Sequence, residues 1–242
     1  MKLRYTAAVA VILLSTAGAR AQGTAAAEDE GPWSGKAALG YLATSGNSES
    51  ANLNAQFELG YASGNWQHLL EASAISAQEN DQSTAEAYKL GAKTEYSFSE
   101  HNYLFGRLIW RKDLFSGYDQ QFSQTVGYGR RLIDTPRHKL SAEIGAGARQ
   151  SELRDGTTES DVILRGGANY RWQWSETAAF TQDLTIESGQ VNTYLESVSA
   201  IKARLFSQFA LVASYTIKNN SDVPAGTEQT DTYTALSIEY AF

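Results

Sequence analysis

The side chains that could do chemistry in this sequence are charged groups at even spacings, rather than a compact catalytic motif. Such spacing places charges of both signs on one face of an extended segment, opposite an apolar face. The predicted set is Arg107, Arg111, Arg131, Arg149, Arg165, Arg171, Glu95, Asp113, Glu143 and Asp183. The same faces carry Lys89, Lys93, Lys202, Arg204, Glu58, Glu71, Glu187, Glu196 and Glu239. These groups can pair with one another across strands, or they can line a pore and set its selectivity.

The sequence gives little evidence for a catalytic site. A serine hydrolase needs a histidine beside a serine, and the three histidines, His68, His101 and His138, all fall at or beside the short turns described below. That end is far from the rim where an outer-membrane lipase would act. There is no G-x-S-x-G elbow, and the lack of cysteine excludes a thiol nucleophile. An aspartyl mechanism stays open, but we predict no catalytic site, no cofactor and no metal site.

Acidic side chains gather in the longer polar connections. Clustered carboxylates could bind a divalent cation and so bridge to anionic headgroups of lipid or lipopolysaccharide. No connection has the fixed ligand spacing of a calcium loop, so solvated loops are the favoured interpretation. The residues concerned are Glu79, Asp81, Glu86, Glu152, Asp155, Glu159, Asp161, Asp222, Glu228 and Asp231.

The elements that must position the charges are β-strands, and residues 51–61 show this most clearly. Every second residue there is apolar and the others are Asn, Gln, Glu or Gly, so a one-residue slip would reverse both faces. The C-terminus repeats the pattern, with an apolar face made of Leu236, Ile238, Tyr240 and Phe242. This ending looks like the terminal signature of bacterial outer-membrane barrels, which the barrel-assembly machinery recognises.

About twelve segments alternate in this way, an even number that suits a single-chain bacterial barrel. They are residues 33–41, 51–61, 66–77, 85–98, 103–114, 121–131, 138–149, 162–174, 179–187, 194–205, 209–218 and 232–242. Turns after even-numbered strands are short, whereas connections 77–84, 150–161 and 219–231 after odd-numbered strands are long and polar. This asymmetry is typical of outer-membrane barrels, whose short turns are periplasmic. The pattern predicts an all-β fold, a transmembrane antiparallel up-and-down β-barrel.

In such a barrel the charges must point inward, because Arg or Lys on the lipid face costs about 2–4 kcal/mol near the midplane. A structural ion-pair lattice that fills a narrow interior is the favoured interpretation, and a small water-filled pore is the alternative. Aromatic residues near the short turns predict a girdle at the headgroup level: Trp33, Trp66, Phe98, Tyr128, Trp172, Trp174, Phe180, Phe209 and Phe242. Glycines within the strands predict curvature or close backbone approach: Gly91, Gly106, Gly127, Gly129, Gly145, Gly147, Gly166 and Gly167.

The N-terminus predicts export. Lys2 and Arg4 precede an apolar run, and Ala19-Arg20-Ala21 places cleavage after Ala21. A retained anchor is the alternative, although the run is too short to span a bilayer. The predicted domains are a signal peptide at 1–21, a flexible lead at 22–32 and the barrel at 33–242. The exported form has 17 basic and 27 acidic residues, a formal charge of −10, which argues against nucleic acid.

Three stretches also resemble a known family: GYLATSGNSESANLNAQFELGY at 40–61, YLFGRLIWRKDLFSGYDQQFSQTVGYGRRLID at 103–134, and the final IEYAF. They are similar to the salt-induced outer-membrane proteins, a domain-of-unknown-function family of outer-membrane β-barrels. The similarity covers essentially the whole mature chain, and the segments 44–47 and 113–117 carry most of it. It implies an outer-membrane barrel whose production responds to salt. It supplies no catalytic or ligand-binding residue.

The sequence therefore predicts a monomeric structural or salt- and envelope-stress protein in the outer membrane of a Gram-negative bacterium. Its expected partners are outer-membrane lipid, lipopolysaccharide and the barrel-assembly machinery. A narrow passive channel for small solutes or ions is the alternative function, and an outer-membrane enzyme is a third.

Overall fold

The computed structural model of the protein describes residues 31–44, 50–79, 82–113, 118–223 and 228–242. The predicted signal peptide, residues 22–30 of the predicted lead and residues 45–47 of the family-like turn lie outside the described residues. Every regular element in the described part of the chain is a β-strand. None of these residues forms a helix long and apolar enough to cross a membrane.

Twelve antiparallel strands form one closed sheet. The strands are β1 Trp33–Thr44, β2 Ser50–Ser63, β3 Trp66–Glu79, β4 Gln82–Ser97, β5 Asn102–Asp113, β6 Tyr118–Asp134, β7 His138–Leu153, β8 Thr158–Gln173, β9 Ala178–Ser188, β10 Thr193–Phe206, β11 Phe209–Asn220 and β12 Thr230–Ala241. Each strand pairs with its neighbours in sequence, and β12 pairs with β1, so the sheet has no free edge. The predicted all-β barrel of about twelve antiparallel strands is confirmed.

Strand β2 shows how the alternation builds the wall. Leu53 and Phe57 point outward and are exposed. The intervening residues face the interior, where Asn54 accepts a hydrogen bond from Ser237 of β12 at 2.9 Å. On the same face Glu58 pairs with Lys36 of β1 at 2.9 Å. The polar face of the pattern is therefore the inside of the barrel.

The connections after even-numbered strands are tight. Residues 64–65 join β2 to β3, 135–137 join β6 to β7, and 207–208 join β10 to β11. Gly64 has a φ of +56°, a left-handed conformation that glycine adopts without steric cost. The predicted short turns lie where the sequence placed them.

The prediction of long connections at residues 77–84 and 150–161 is wrong, because most of these residues belong to strands. The β3–β4 ladder continues to the pair Glu79 and Gln82, and the β7–β8 ladder continues to Glu152 and Thr158. Backbone hydrogen bonds hold these extensions, so pairing persists where the apolar alternation has stopped. The connection between β11 and β12 remains long, at residues 221–229.

The C-terminus closes the barrel. Beyond the β1–β12 ladder, the Gly35 N–H donates to the Phe242 carbonyl at 2.8 Å, and the Phe242 N–H donates to the Gly35 carbonyl at 2.9 Å. The Phe242 ring lies against Gly35, where a Cβ atom would overlap it. The predicted assembly face is exposed on the outside of the barrel: Leu236, Ile238, Tyr240 and Phe242.

Glycines on β6 and β7 receive aromatic rings from β5. The Tyr103 ring occupies the space that a Cβ atom at Gly129 would need, and the Phe105 ring does the same at Gly127. The predicted close approach is confirmed at these positions. At Gly106 and Gly166 a Cβ atom would meet no described atom within 4 Å, so of the two predicted roles close approach does not apply there.

Candidate functional site

The barrel encloses a cavity of about 750 Å³ lined by side chains of both charges. Its lining includes Asp134 and Arg171 near the short turns, and Asp113 and Asp231 near the opposite end. A single cavity therefore follows the interior along the length of the barrel. This interior is the candidate functional site.

One side of the interior is filled. Tyr103, Phe105 and Ile109 of β5 and Ile163 of β8 are buried there. The buried residues of β5 share its inward face with Arg107 and Arg111, which the sequence predicts to point inside, although Leu104 and its outward neighbours are as hydrophobic as the buried set. The apolar side chains form a small core inside the barrel.

A buried ion network surrounds this core, centred on Glu143 of β7. Arg165 Nη1 donates to Glu143 Oε2 at 2.8 Å, and the Tyr103 hydroxyl donates to Oε1 at 2.9 Å. Lys93 of β4 pairs with the same Oε1 oxygen. The side chains of Arg165 and Glu143 are only 3% and 1% exposed, so the centre of this network is packed into the wall, while Lys93 and Tyr103 border the cavity.

A second buried pair joins β5 to β9. Arg111 binds Glu187 through both terminal nitrogens, at 3.0 Å and 3.2 Å. The Ser123 hydroxyl donates to the same carboxylate at 3.3 Å, and the Arg111 guanidinium lies 4.5 Å from the centre of the Tyr194 ring. A bidentate arginine–carboxylate pair fixes both distance and orientation.

The end of the barrel opposite the short turns is fastened through Asn192, which lies between β9 and β10. Arg149 Nη2 donates to the Asn192 carbonyl at 2.6 Å and lies 3.5 Å from Asp161. The Asn192 amide donates to Asn220 at 2.8 Å and accepts from the Ser221 hydroxyl at 3.3 Å. These hydrogen bonds join the β9–β10 connection to the start of the β11–β12 connection.

Two further ion pairs cross the cavity. Lys89 of β4 binds Glu196 of β10 at 3.1 Å, and Lys218 of β11 binds Asp113 of β5 at 3.3 Å. In each pair the two strands lie six places apart in the closed order of twelve, on opposite walls. All four side chains line the cavity. Their exposed fractions, 25% and 13% for the first pair and 17% and 12% for the second, show contact with open space.

The structure brings the ten predicted lumen charges together on the inside of the barrel. Eight line the cavity: Arg107, Arg111, Arg131, Arg165, Arg171, Glu95, Asp113 and Asp183. Arg149 and Glu143 are buried in the wall.

Most of these groups have partners within reach. Arg107 binds Glu71 at 2.6 Å, and Arg131 lies 3.6 Å from Glu95. Two further lumen charges, Arg171 and Asp183, have side-chain amides as partners. Arg171 donates to the side-chain oxygen of Gln173 at 2.8 Å, and the Asn169 amide donates to Asp183 at 2.5 Å.

Sequence reasoning missed basic residues that line the cavity, including Lys36 and Lys218, and Lys218 is one of the crossing residues. It lies four residues from Ser214 on the inward face of β11, so the alternation of that strand was a sufficient signal. Its pairing with Asp113 was not predictable, because strand order alone does not give the height of a side chain in the barrel.

Two of the three histidines have hydroxyl and ring neighbours in the structure. His68 Nδ1 lies 3.0 Å from Thr94 Oγ1, and His138 Nδ1 lies 2.9 Å from the Tyr170 hydroxyl. Both stack on tryptophans, at Trp66 and Trp172. Among the described residues, no group of three or more His, Asp or Glu side chains could hold a metal ion.

Aromatic rings gather at the short-turn end, as the girdle prediction requires. Neighbouring strands bring rings together in pairs 4.7 to 6.4 Å apart: Trp33 with Tyr61, Trp66 with Tyr96, Phe98 with Tyr128, Phe206 with Phe209, and Phe209 with Tyr240. Trp172 and Trp174 meet edge to face at 5.7 Å. Such rings suit a boundary between apolar and aqueous surroundings.

Comparison with known sequences places residues 37–242 in a family model described as a protein of unknown function, DUF481. One similar curated protein is the uncharacterized protein YdiY of Escherichia coli strain K12. It is 31% identical over 211 residues, which cover 87% of this chain and 83% of YdiY.

Solved structures with a similar fold include a channel and a porin. An outer-membrane channel from Pseudomonas putida F1 matches with a TM-score of 0.52 at 8% identity, over 88% of this chain and 96% of that one. The NanC porin matches with a TM-score of 0.50 at 10% identity, over 85% and 97%. At these identities the likeness is one of fold, a closed antiparallel β-barrel.

Proposed function

The chain belongs to the DUF481 family of proteins of unknown function, and we propose that it is an outer-membrane barrel whose interior is a narrow channel for small polar solutes. In this proposal the N-terminal segment is a cleaved export signal. The C-terminal strand is the element that the barrel-assembly machinery binds. Lipid and lipopolysaccharide cover the outside.

The inverted distribution of polarity supports the membrane location. Val126, Ile144 and Val162 on the outer face are 70%, 68% and 72% exposed, whereas Glu187 and Arg165 inside are buried. A folded protein in water rarely exposes a contiguous apolar surface and buries charges in this way. Hydrocarbon around the barrel removes the conflict, and the aromatic rings at the short-turn end suit the headgroup level.

The single observation that carries the channel function is the cavity that borders residues at both ends of the barrel. Small inward side chains leave this space open on β10 to β12, including Ala200 and Ser214. The two ion pairs that cross it keep the passage narrow. We therefore expect water and small solutes to pass and large ones to be excluded.

A structural role in the envelope is the second candidate, as is the salt response implied by the family resemblance. The filled side of the interior favours it, because the networks around Glu143 and Glu187 join β4, β5, β7, β8 and β9. A barrel braced in this way could serve the envelope without conducting. Conductance separates the two functions.

Planar-bilayer recording of the refolded protein tests the proposal. We expect small, stable single-channel steps. An Ala200→Trp variant, which fills the cavity, should reduce the step size by roughly twofold or more. Ala203→Trp on the outer face of the same strand is the matched control and should conduct like the parent protein. A folded barrel that gives no steps would contradict the channel function and favour the structural role.

A further inference from the structure

The two ion pairs that cross the cavity join opposite walls of the barrel, whereas the other ion pairs of the described residues lie within one strand or join strands that lie closer together in the sheet. The Glu143 carboxylate is only 1% exposed, so a solute in the cavity cannot readily reach it. Lys89, Glu196, Asp113 and Lys218 line the open cavity. A solute on its way through the barrel must therefore pass between the members of these pairs or displace them.

The walls around the passage also differ in sign. The inward faces of β4 and β5 carry Lys89, Lys93, Arg107 and Arg111 against Glu95 and Asp113, whereas β9 and β10 carry Asp183, Glu187 and Glu196 against Lys202, so the first wall is basic and the second acidic on balance. At the Lys218–Asp113 pair the order of the charges is reversed. A transverse field therefore points from one wall of the passage to the other. A molecule that carries both charges can align with such a field, whereas a molecule with one charge is drawn to one wall.

Displacing a crossing pair has a different cost for each class of solute. An anion that binds Lys89 takes the ion-pair partner of Glu196 and leaves it only the Tyr194 hydroxyl, and a cation that binds Glu196 leaves Lys89 with Glu71 at the longer distance of 3.9 Å. Separating the pair is therefore unfavourable for a solute with one charge, because the member left behind loses its ion-pair partner. A zwitterion replaces both partners at once, with its carboxylate on Lys89 and its ammonium on Glu196.

From this geometry we propose that the solutes favoured by the channel are small zwitterions, molecules of amino-acid type that carry an ammonium and a carboxylate a few bonds apart. This inference rests on the proposed channel function and names its substrate class. The site consists of Lys89 and Glu196, followed along the passage by Asp113 and Lys218.

Swelling of proteoliposomes in isosmotic solute tests the inference with four molecules of equal heavy-atom number: β-alanine (zwitterion), butyrate (anion), β-alaninamide (cation) and butyramide (neutral). Salt conductance of the same preparation is recorded alongside. We expect β-alanine to enter about tenfold faster than the singly charged solutes. The variant Lys89→Gln/Glu196→Gln should lose this preference.

Two matched variants show whether the crossing pair is responsible. Lys89→Glu/Glu196→Lys reverses the pair and should keep the preference for β-alanine. Lys36→Gln/Glu58→Gln removes a pair that joins adjacent strands without crossing the cavity, and it should also keep the preference. Equal rates for all four solutes, or faster entry of either ion, would overturn the inference. If salt conductance were normal in the same preparation, the channel function would still stand. Absence of both swelling and conductance would overturn the channel and the inference together.

Discussion

At the level of single residues, the burial of an ion pair determines how much it contributes to the free energy of unfolding. Glu143 compensates Arg165 and Lys93 with a carboxylate side chain that is only 1% exposed. Lys139 and Asp134, at the short-turn end, form a pair whose side chains are largely exposed. Breaking a buried pair typically costs about 3–5 kcal/mol, whereas an exposed pair contributes about 0–1 kcal/mol.

The substitution Glu143→Gln should therefore destabilise the folded barrel by about 3 kcal/mol, because it leaves the buried Arg165 without its carboxylate, although Lys93 keeps Glu95 at 2.7 Å. Urea unfolding in detergent micelles, followed by tryptophan fluorescence, measures this change. Asp134→Asn is the matched control and should alter the free energy of unfolding by less than about 1 kcal/mol. Equal effects of the two variants would contradict the assignment of Glu143 as the centre of a buried network.

Sequence reasoning succeeds at this scale where one face is apolar and the other charged. It placed Arg107, Arg165 and Glu143 inside because lipid would penalise them outside. It could not find the crossing partners of Lys89 or Asp113. Those depend on strand tilt and stagger around the closed sheet, which the residues of one strand do not encode.

At the scale of elements, glycines determine where rings can enter the sheet. The Tyr103 ring of β5 fills the space above Gly129 of β6, whereas Gly106 faces outward with free space around its Cα in the described part of the chain. Gly129→Val should destabilise the barrel by about 1–3 kcal/mol through overpacking. Gly106→Val should be neutral or slightly stabilising, since a β-branched residue suits an exposed strand. The same unfolding assay compares the two.

The pairing of β1 with β12, the seam at which the barrel closes, leads to a second prediction about the elements. Gly35→Val should lower the fraction of chain that reaches the folded barrel, because a side chain at Gly35 displaces the Phe242 ring that closes the sheet. Heat-modifiable mobility on a gel measures this fraction in isolated membranes. Gly166→Val, on an open outward position, is the control. A seam variant that assembles as well as its control would show that the Phe242 contact is dispensable.

The strands themselves were more predictable than the connections. The β2 alternation fixes its faces and register, whereas on β5 only Arg107 and Arg111 distinguish the inward face from an equally hydrophobic outward one. Residues 150–161 look like a loop because they are polar, yet much of this segment belongs to β7 and β8. The polarity of a residue indicates whether its side chain faces water or an apolar environment. Pairing between strands depends instead on backbone hydrogen bonds, which polar residues form equally well.

For the whole molecule, one arrangement accounts for the outer apolar surface, the inner charges and the aromatic girdle. In the proposed membrane location, the barrel separates hydrocarbon outside from a polar interior along every strand. Strand β11 offers the clearest place to examine this, since Ala213 and Tyr215 point outward, whereas Ser214 and Thr216 line the cavity. The chain has no cysteine of its own, so single cysteines can be introduced without background.

The most direct test is therefore spin-label accessibility at residues 213, 214, 215 and 216 in lipid bilayers. Oxygen dissolved in the membrane should relax labels at Ala213→Cys and Tyr215→Cys, whereas a water-soluble nickel reagent should relax those at Ser214→Cys and Thr216→Cys. Alternation of the two signals from residue to residue is the predicted result. Four labels with the same accessibility, or a reversed alternation, would contradict a lipid-embedded barrel with a polar interior.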